Sequence, residues 1–374
     1  MASQLFTPIT LRNIELPNRI IVAPMCQYSA HDGTPTDWHL MHLGQFAVAG
    51  PGLVFVEASG VEAIGRITPG CTGIWSDENE AAFQRVADFC RGFGNAKIGM
   101  QLAHAGRKAS CLVPWQGGTQ MQADETEGWP VVGPSAVAYA DGWQVPEELD
   151  EAGMARIKQA FVEATERCIR IGYDVIELHM AHGYLMQQFL SPISNKRTDA
   201  YGGSLENRMR FPLEVFDAVR AAWPDELPLG VRISSIDWVD GGWSIEDSIA
   251  FAKVLKDRDC DFIDCSSGGN SPLQDIDAGP GYQTGFAADI RREAGIKTMA
   301  VGQITQARQA EAIVRSGQAD MVALARGMLY DPHWVWHAAE ELRAQANFPP
   351  QYMRSHPTMQ GLPIPGNPPA PPKN

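Results

Sequence analysis

Short apolar runs bounded by turn residues alternate along this chain with longer amphipathic stretches. The hydrophobic pattern therefore predicts strands and helices in strict succession. After an opening segment, Leu5 to Leu16, whose alternation suits a hairpin, Arg19 to Pro24 reads as a buried strand and Trp38 to Ala49 as a helix. Gly52 to Glu57 is followed by a helix over Asn79 to Phe93, Lys97 to Leu102 by Asp150 to Ile171, and Tyr173 to Leu178 by Ser204 to Ala222. The remaining units are tighter: Leu229 to Ser234 with Ser244 to Arg258, Asp261 to Ser266 with Tyr282 to Glu293, Lys297 to Gly302 with Thr305 to Ser316, and Ala319 to Ala325 with Asp331 to Arg343.

The strands are apolar throughout, as strands buried on both faces are, rather than alternating. Eight such strand-helix units predict an α/β fold, a (β/α)8 TIM barrel with an N-terminal hairpin and extended active-site loops. A doubly wound open sheet is the alternative, weakened because the sequence contains neither GxGxxG nor GxxxxGK[ST]. One barrel domain is expected over residues 1–348. Residues 349–374 form an extension, in which proline becomes dense and the last residues are expected to be extended or disordered.

Composition narrows the functional classes. The 374 residues are 44% hydrophobic and carry a net charge of −14, which suits a large core and disfavours nucleic acid or an anionic membrane as partner. No basic-then-apolar leader opens the chain and no apolar run is long enough to span a bilayer, so a cytoplasmic address is expected. The seven cysteines include no CxxC pair, and no metal centre is readable from them.

In a barrel of this kind the residues just after each strand surround the active site. Here they include Met25, Cys26 and Tyr28, then Gly60, then Gln101, His104, Arg107 and Lys108, then His179, His182 and Tyr184, then Arg232, Ser266, Ser267 and Gly268, and finally Gly302, Gln303, Arg326 and Gly327. The ends of strands seven and eight are a common phosphate site, with Gly302 allowing close approach and Arg326 offering a charged fork; a glycine turn and a surface arginine explain them equally well. Alternation in Val231-Arg232-Ile233 turns Arg232 into the barrel, where it either stabilises an anion or pairs with inward-facing Glu177. His179 and His182 lack an obvious third ligand, so an anion or carbonyl suits them better than zinc. Beside them Tyr184 suits a proton donor better than a loop anchor.

Four runs carry a resemblance: Ala23-Pro24-Met25-Cys26-Gln27-Tyr28, Gln101 through Ala109, Glu177 through Tyr184, and Ser194 through Ser204. From Leu5 to Arg354 the chain resembles the Old Yellow Enzyme family of FMN-dependent ene-reductases, in particular its thermophilic-like branch, which includes the YqjM-like enzymes and xenobiotic reductase A. The resemblance implies FMN, reduced by NADPH or NADH, and a small activated alkene as substrate. It implies that Ala23, Pro24, Met25, Cys26, Gly60, Gln101, His179 and Arg232 surround the flavin ring, and that Ser267, Gly268, Gly302, Gln303, Ala325 and Arg326 surround its phosphate. His179 and His182 would hold the substrate oxygen, Tyr184 would deliver the proton, and Tyr28 and Lys108 would line the pocket. Gly60 stands where relatives carry alanine, and Ala325 replaces a glycine. Arg354 would reach a neighbouring subunit's site, which implies a homodimer or a dimer of dimers.

Two other chemistries remain open from the residues alone. One is a flavin-free lyase or aldolase using Lys108 as a Schiff base, and the other is a non-catalytic flavin-binding sensor. Related enzymes with an iron–sulfur cluster and a further domain do not fit, since the cysteine cluster is missing.

Overall fold

The computed structural model describes residues 2–352. Eight parallel strands close into a barrel: β1 (Ile20–Val22), β2 (Leu53–Gly60), β3 (Lys97–Ala103), β4 (Val175–Met180), β5 (Leu229–Ser234), β6 (Phe262–Ser266), β7 (Lys297–Ala300) and β8 (Met321–Leu324). They follow one another around the barrel in chain order, and β8 pairs with β1. The expected barrel stands and the open sheet does not. Ile9–Leu11 and Ile14–Leu16 form the expected antiparallel hairpin.

Helices between the strands begin where the sequence supplies caps. Ser76 accepts from the Asn79 N–H and Asn79 returns the bond, while Ser204 and Ser244 cap the helices Leu205–Ala222 and Ile245–Lys256 in the same position. Gly172, at φ 83°, ends the long helix Glu151–Ile171 in the left-handed conformation that glycine adopts without strain.

The barrel interior is layered. Its lower part is an apolar plug that includes Phe55, Phe262, Met299 and Met321, against which Gly99 and Gly230 leave room: a Cβ on Gly230 would lie 2.1 Å from the Phe262 ring. Above it the register sets Gln101 beside Glu177, His179 beside Arg232, and Arg232 beside Asp264. A polar layer thus sits on a dry floor, at the end of the barrel from which the strand-to-helix loops emerge.

Three differences from the sequence pattern bear on the site. β4 runs two residues beyond Leu178, so His179 lies within the strand, paired with Arg232. β2 continues to Gly60 through a bulge between Val56 and Ala58 that re-aims Glu57. A short helix, Leu185–Leu190, follows Tyr184; all six of its residues are buried, so it shows no amphipathic stripe for a pattern to reveal. The loop after β3 folds over the mouth and is pinned by Arg107, which donates to the carbonyls of Val137 and Asn270. Among the described residues no helix is long and apolar enough to cross a membrane. Arg354 and the proline-rich tail lie outside the described residues.

Candidate active site

His179 is fixed by its own backbone. The Ala181 N–H donates to its Nδ1 at 3.1 Å, which puts the ring proton of the neutral imidazole on Nε2. That Nε2 lies 3.3 Å from Nδ1 of His182, and Nε2 of His182 lies 2.7 Å from Oγ of Ser266. His182 takes a left-handed φ of 60°, stabilised by its N–H donating to Ser234 Oγ at 2.9 Å and by Lys108 Nζ donating to its carbonyl at 2.8 Å. Gly183 follows at φ 73°. A Cβ there would stand 2.2 Å from the Gly269 carbonyl oxygen, so this turn requires glycine.

Tyr184 caps the short helix, and its ring sits 4.9 Å from that of His179, edge to face at 87°. Lys108 Nζ lies 5.3 Å from the centre of the Tyr184 ring and also donates to the Gly269 carbonyl. His179, His182, Tyr184 and Lys108 are thus brought together. Burial, aided by the charge of Arg232, holds both imidazoles well below their ordinary pKa, so they are neutral donors. Burial, with Cys26 and Tyr28 adding to it, holds the Tyr184 hydroxyl well above its own, so it keeps its proton. Burial also lowers the Lys108 ammonium to about 8.

In the polar layer Arg232 Nε lies 3.1 Å from Asp264 Oδ2, without the alignment of a hydrogen bond. Its partner is Asp264 and not Glu177, which the alternation had set against it. Glu177 instead accepts from the Gln101 side-chain amide at 2.7 Å, and its Oε2 has no hydrogen-bond partner. Two carboxyls facing one guanidinium cannot both ionise cheaply. Burial and then Asp264 push the Glu177 pKa up to about 8 against the pull of Arg232 and Gln101. Asp264 was missed by sequence reasoning although its signal was present: in Phe262-Ile263-Asp264-Cys265 it shares the inward parity of Phe262.

A cavity of about 470 Å³ opens from Arg232 toward the ends of β7 and β8. Its walls include Gly302, Gln303, Ala325 and Arg326 as expected, together with Ser266, Tyr282, Gln283 and Thr305. Gly302 and Gln303 have φ values of 124° and 49°, and a Cβ on Gly302 would meet Gln283 Nε2 at 2.9 Å. Ser267 and Gly268 are not among the walls. The Ser267 hydroxyl donates to Gln283 Oε1 at 2.6 Å and the Gly268 N–H to the Ile236 carbonyl. Gln283, contributed by the loop before helix Thr284–Ala294, carries no motif that marks it in sequence.

This donor set fits FMN. A roomy cradle beside a glycine and the arginine at the start of helix Arg326–Tyr330 suits a phosphate. The amide of Gln101 and the guanidinium of Arg232 suit the hydrogen-bonding edge of the ring. In the segment after β1 Cys26 is held as a thiol, its pKa raised by a hydrogen bond with Cys71 and by burial. Tyr28 stacks edge to face on Trp115 at 5.8 Å. A Cβ on Gly60 would meet the Glu62 carbonyl oxygen at 3.3 Å, so alanine there would need a small shift.

Comparison with known proteins agrees with this geometry. Residues 4–345 match the model of the NADH:flavin oxidoreductase / NADH oxidase family. The NADPH dehydrogenase of Bacillus subtilis (strain 168) is 44% identical over 356 residues, 95% of this chain and 99% of that one. Morphinone reductase superposes with a TM-score of 0.76 at 28% identity, covering 96% of this chain and 93% of that one. A complex of 2-naphthoyl-CoA reductase superposes with a TM-score of 0.81 at 25% identity over 90% of this chain, which spans about half of that longer protein, 52%.

Proposed function

This chain belongs to the NADH:flavin oxidoreductase / NADH oxidase family, an FMN and NAD(P)H-dependent group that agrees with its Old Yellow Enzyme motifs, and from that premise we propose that it is an ene-reductase acting on small activated alkenes such as enones, enals, maleimides or nitroalkenes. FMN, when bound, would supply the redox chemistry: hydride transfer from NAD(P)H to the alkene carbon β to the activating group.

One observation carries the reading: two neutral imidazole nitrogens 3.3 Å apart, with a half-buried, protonated tyrosine beside them. Two N–H groups cannot both point along that short line. An oxygen seated between them accepts from both, provided that His182 carries its proton on Nδ1 and Ser266 donates to Nε2. Such a clamp draws electron density from the β-carbon without introducing a charged histidine. Tyr184 then protonates the α-carbon, and the dry surroundings strengthen each hydrogen bond. Ala23, Pro24, Met25, Cys26, Gly60, Gln101 and Arg232 would surround the flavin ring, while Gly302, Gln303, Ala325 and Arg326 would hold its phosphate. The Schiff-base alternative is disfavoured because Lys108 is committed to two backbone carbonyls.

The test is anaerobic NADPH oxidation by the yellow, FMN-loaded protein with and without 2-cyclohexenone. Oxidation that depends on the enone, with saturated ketone as product, is expected. Flavin-loaded protein that leaves the enone unchanged points to the sensor instead, and a colourless sample with full activity excludes the flavin.

A further inference from the structure

Cys26, Glu57 and Cys71 come from three segments far apart in sequence and meet at one side of the barrel mouth. Their two sulfurs and a carboxylate oxygen all lie within 4.8 Å of one another. The fold brings them there by identifiable means. The bulge in β2 directs Glu57 toward the segment after β1, where the Gln27 N–H donates to both carboxylate oxygens at 3.2 Å. The loop bearing Cys71 is held along β2 by Gly60 N–H to the Thr72 carbonyl and by Ile74 N–H to the Gly60 carbonyl. Cys71 and Glu57 are buried, and Cys26, in the segment after β1, is half-buried. No disulfide joins the thiols.

Thiolate pairs select soft divalent ions over magnesium or calcium. In a tetrahedral zinc site, with Zn–S near 2.3 Å and Zn–O near 2.1 Å, the ligand atoms stand roughly 3.5 to 3.8 Å apart. The three groups need contract by no more than about an ångström to reach that spacing. Three protein ligands leave the fourth position for water. His39 Nε2 lies 3.2 Å from Glu57 Oε1, without the alignment of a hydrogen bond.

We infer that Cys26 Sγ, Cys71 Sγ and a Glu57 carboxylate oxygen form a binding site for one soft divalent cation, Zn²⁺ or its surrogate Cd²⁺. Binding forms two metal–sulfur bonds and one metal–oxygen bond and releases the two thiol protons to solvent, with no change of oxidation state. Because the ion ties up Cys26, which the proposed function sets beside the flavin ring, occupation inhibits turnover. That inhibition rests on the ene-reductase reading; the binding does not.

The holoenzyme, reduced with a thiol-free phosphine that is then removed, is titrated with Cd²⁺ while the ultraviolet thiolate-to-metal absorption is followed, and bound metal is counted by equilibrium dialysis with Cd²⁺ and with Zn²⁺. One ion per chain and a band that saturates with it are expected, turnover falling in step and returning on chelation. Cys71→Ser keeps turnover, loses most of the band and weakens binding by more than about tenfold; Cys71→Ala serves if the serine variant does not fold. Failure of the wild type to bind, binding without a thiolate band, or undiminished binding by the Cys71 variants each overturns the site. Normal binding with no enone-dependent turnover to inhibit leaves the site standing and overturns the ene-reductase reading.

Discussion

Oγ of Ser266 lies 2.7 Å from Nε2 of His182, on the side of the ring away from His179. A serine hydroxyl there can either donate to the ring or accept from it. When it donates, the proton of His182 sits on Nδ1, facing the space shared with His179. Ser266→Ala is expected to weaken a phenolic ligand by about tenfold, the worth of one net hydrogen bond. Ligand titration of the FMN-loaded variant measures it. Unchanged affinity at full flavin occupancy would remove Ser266 from the clamp.

Tyr184→Phe is expected to slow enone reduction by about 10²- to 10⁴-fold, the usual worth of a positioned acid. The ring and its packing against His179 persist in the variant. Anaerobic stopped-flow should therefore find flavin reduction by NADPH unaltered and the oxidative half-reaction slowed. Equal slowing of both halves would mean a structural role.

Arg326→Ala is expected to raise the Kd for FMN by about 10- to 100-fold, the range for a hydrogen bond to a charged group. Riboflavin, which lacks the phosphate, should bind both proteins alike. Fluorescence titration with the two flavins separates a phosphate contact from a general loosening of the cavity that Arg326 lines.

Glu177 gives a pH signature. Its carboxyl, ordinarily ionising near 4.5, is raised to about 8 by burial and by Asp264. Between those values the native state keeps a proton that the unfolded chain has released, so this group makes stability fall as pH rises through the window, by up to about 1.4 kcal/mol per unit. Glu177→Gln, which can still accept from Gln101, should lose that slope. Urea denaturation midpoints of both proteins at about pH 5 to 8 measure it, and parallel curves would show that Glu177 is already ionised in the native state.

By itself the sequence determined the barrel, because eight apolar runs followed by amphipathic ones have few ways to bury themselves other than as parallel strands covered by helices. It also determined which ends of the strands to inspect, and the His179–Tyr184 motif stood out there because polar side chains are conspicuous just past an apolar run. Only the tertiary structure decided the partners. Arg232 faces inward as alternation requires, but whether it meets Glu177 or Asp264 depends on strand register, which no local pattern specifies. Ser266 behind His182, Gln283 in the cavity wall and Cys71 beside Cys26 come from segments remote in sequence. Each sits where barrel closure and loop hydrogen bonds carry it, and proximity of that kind leaves no trace in spacing along the chain.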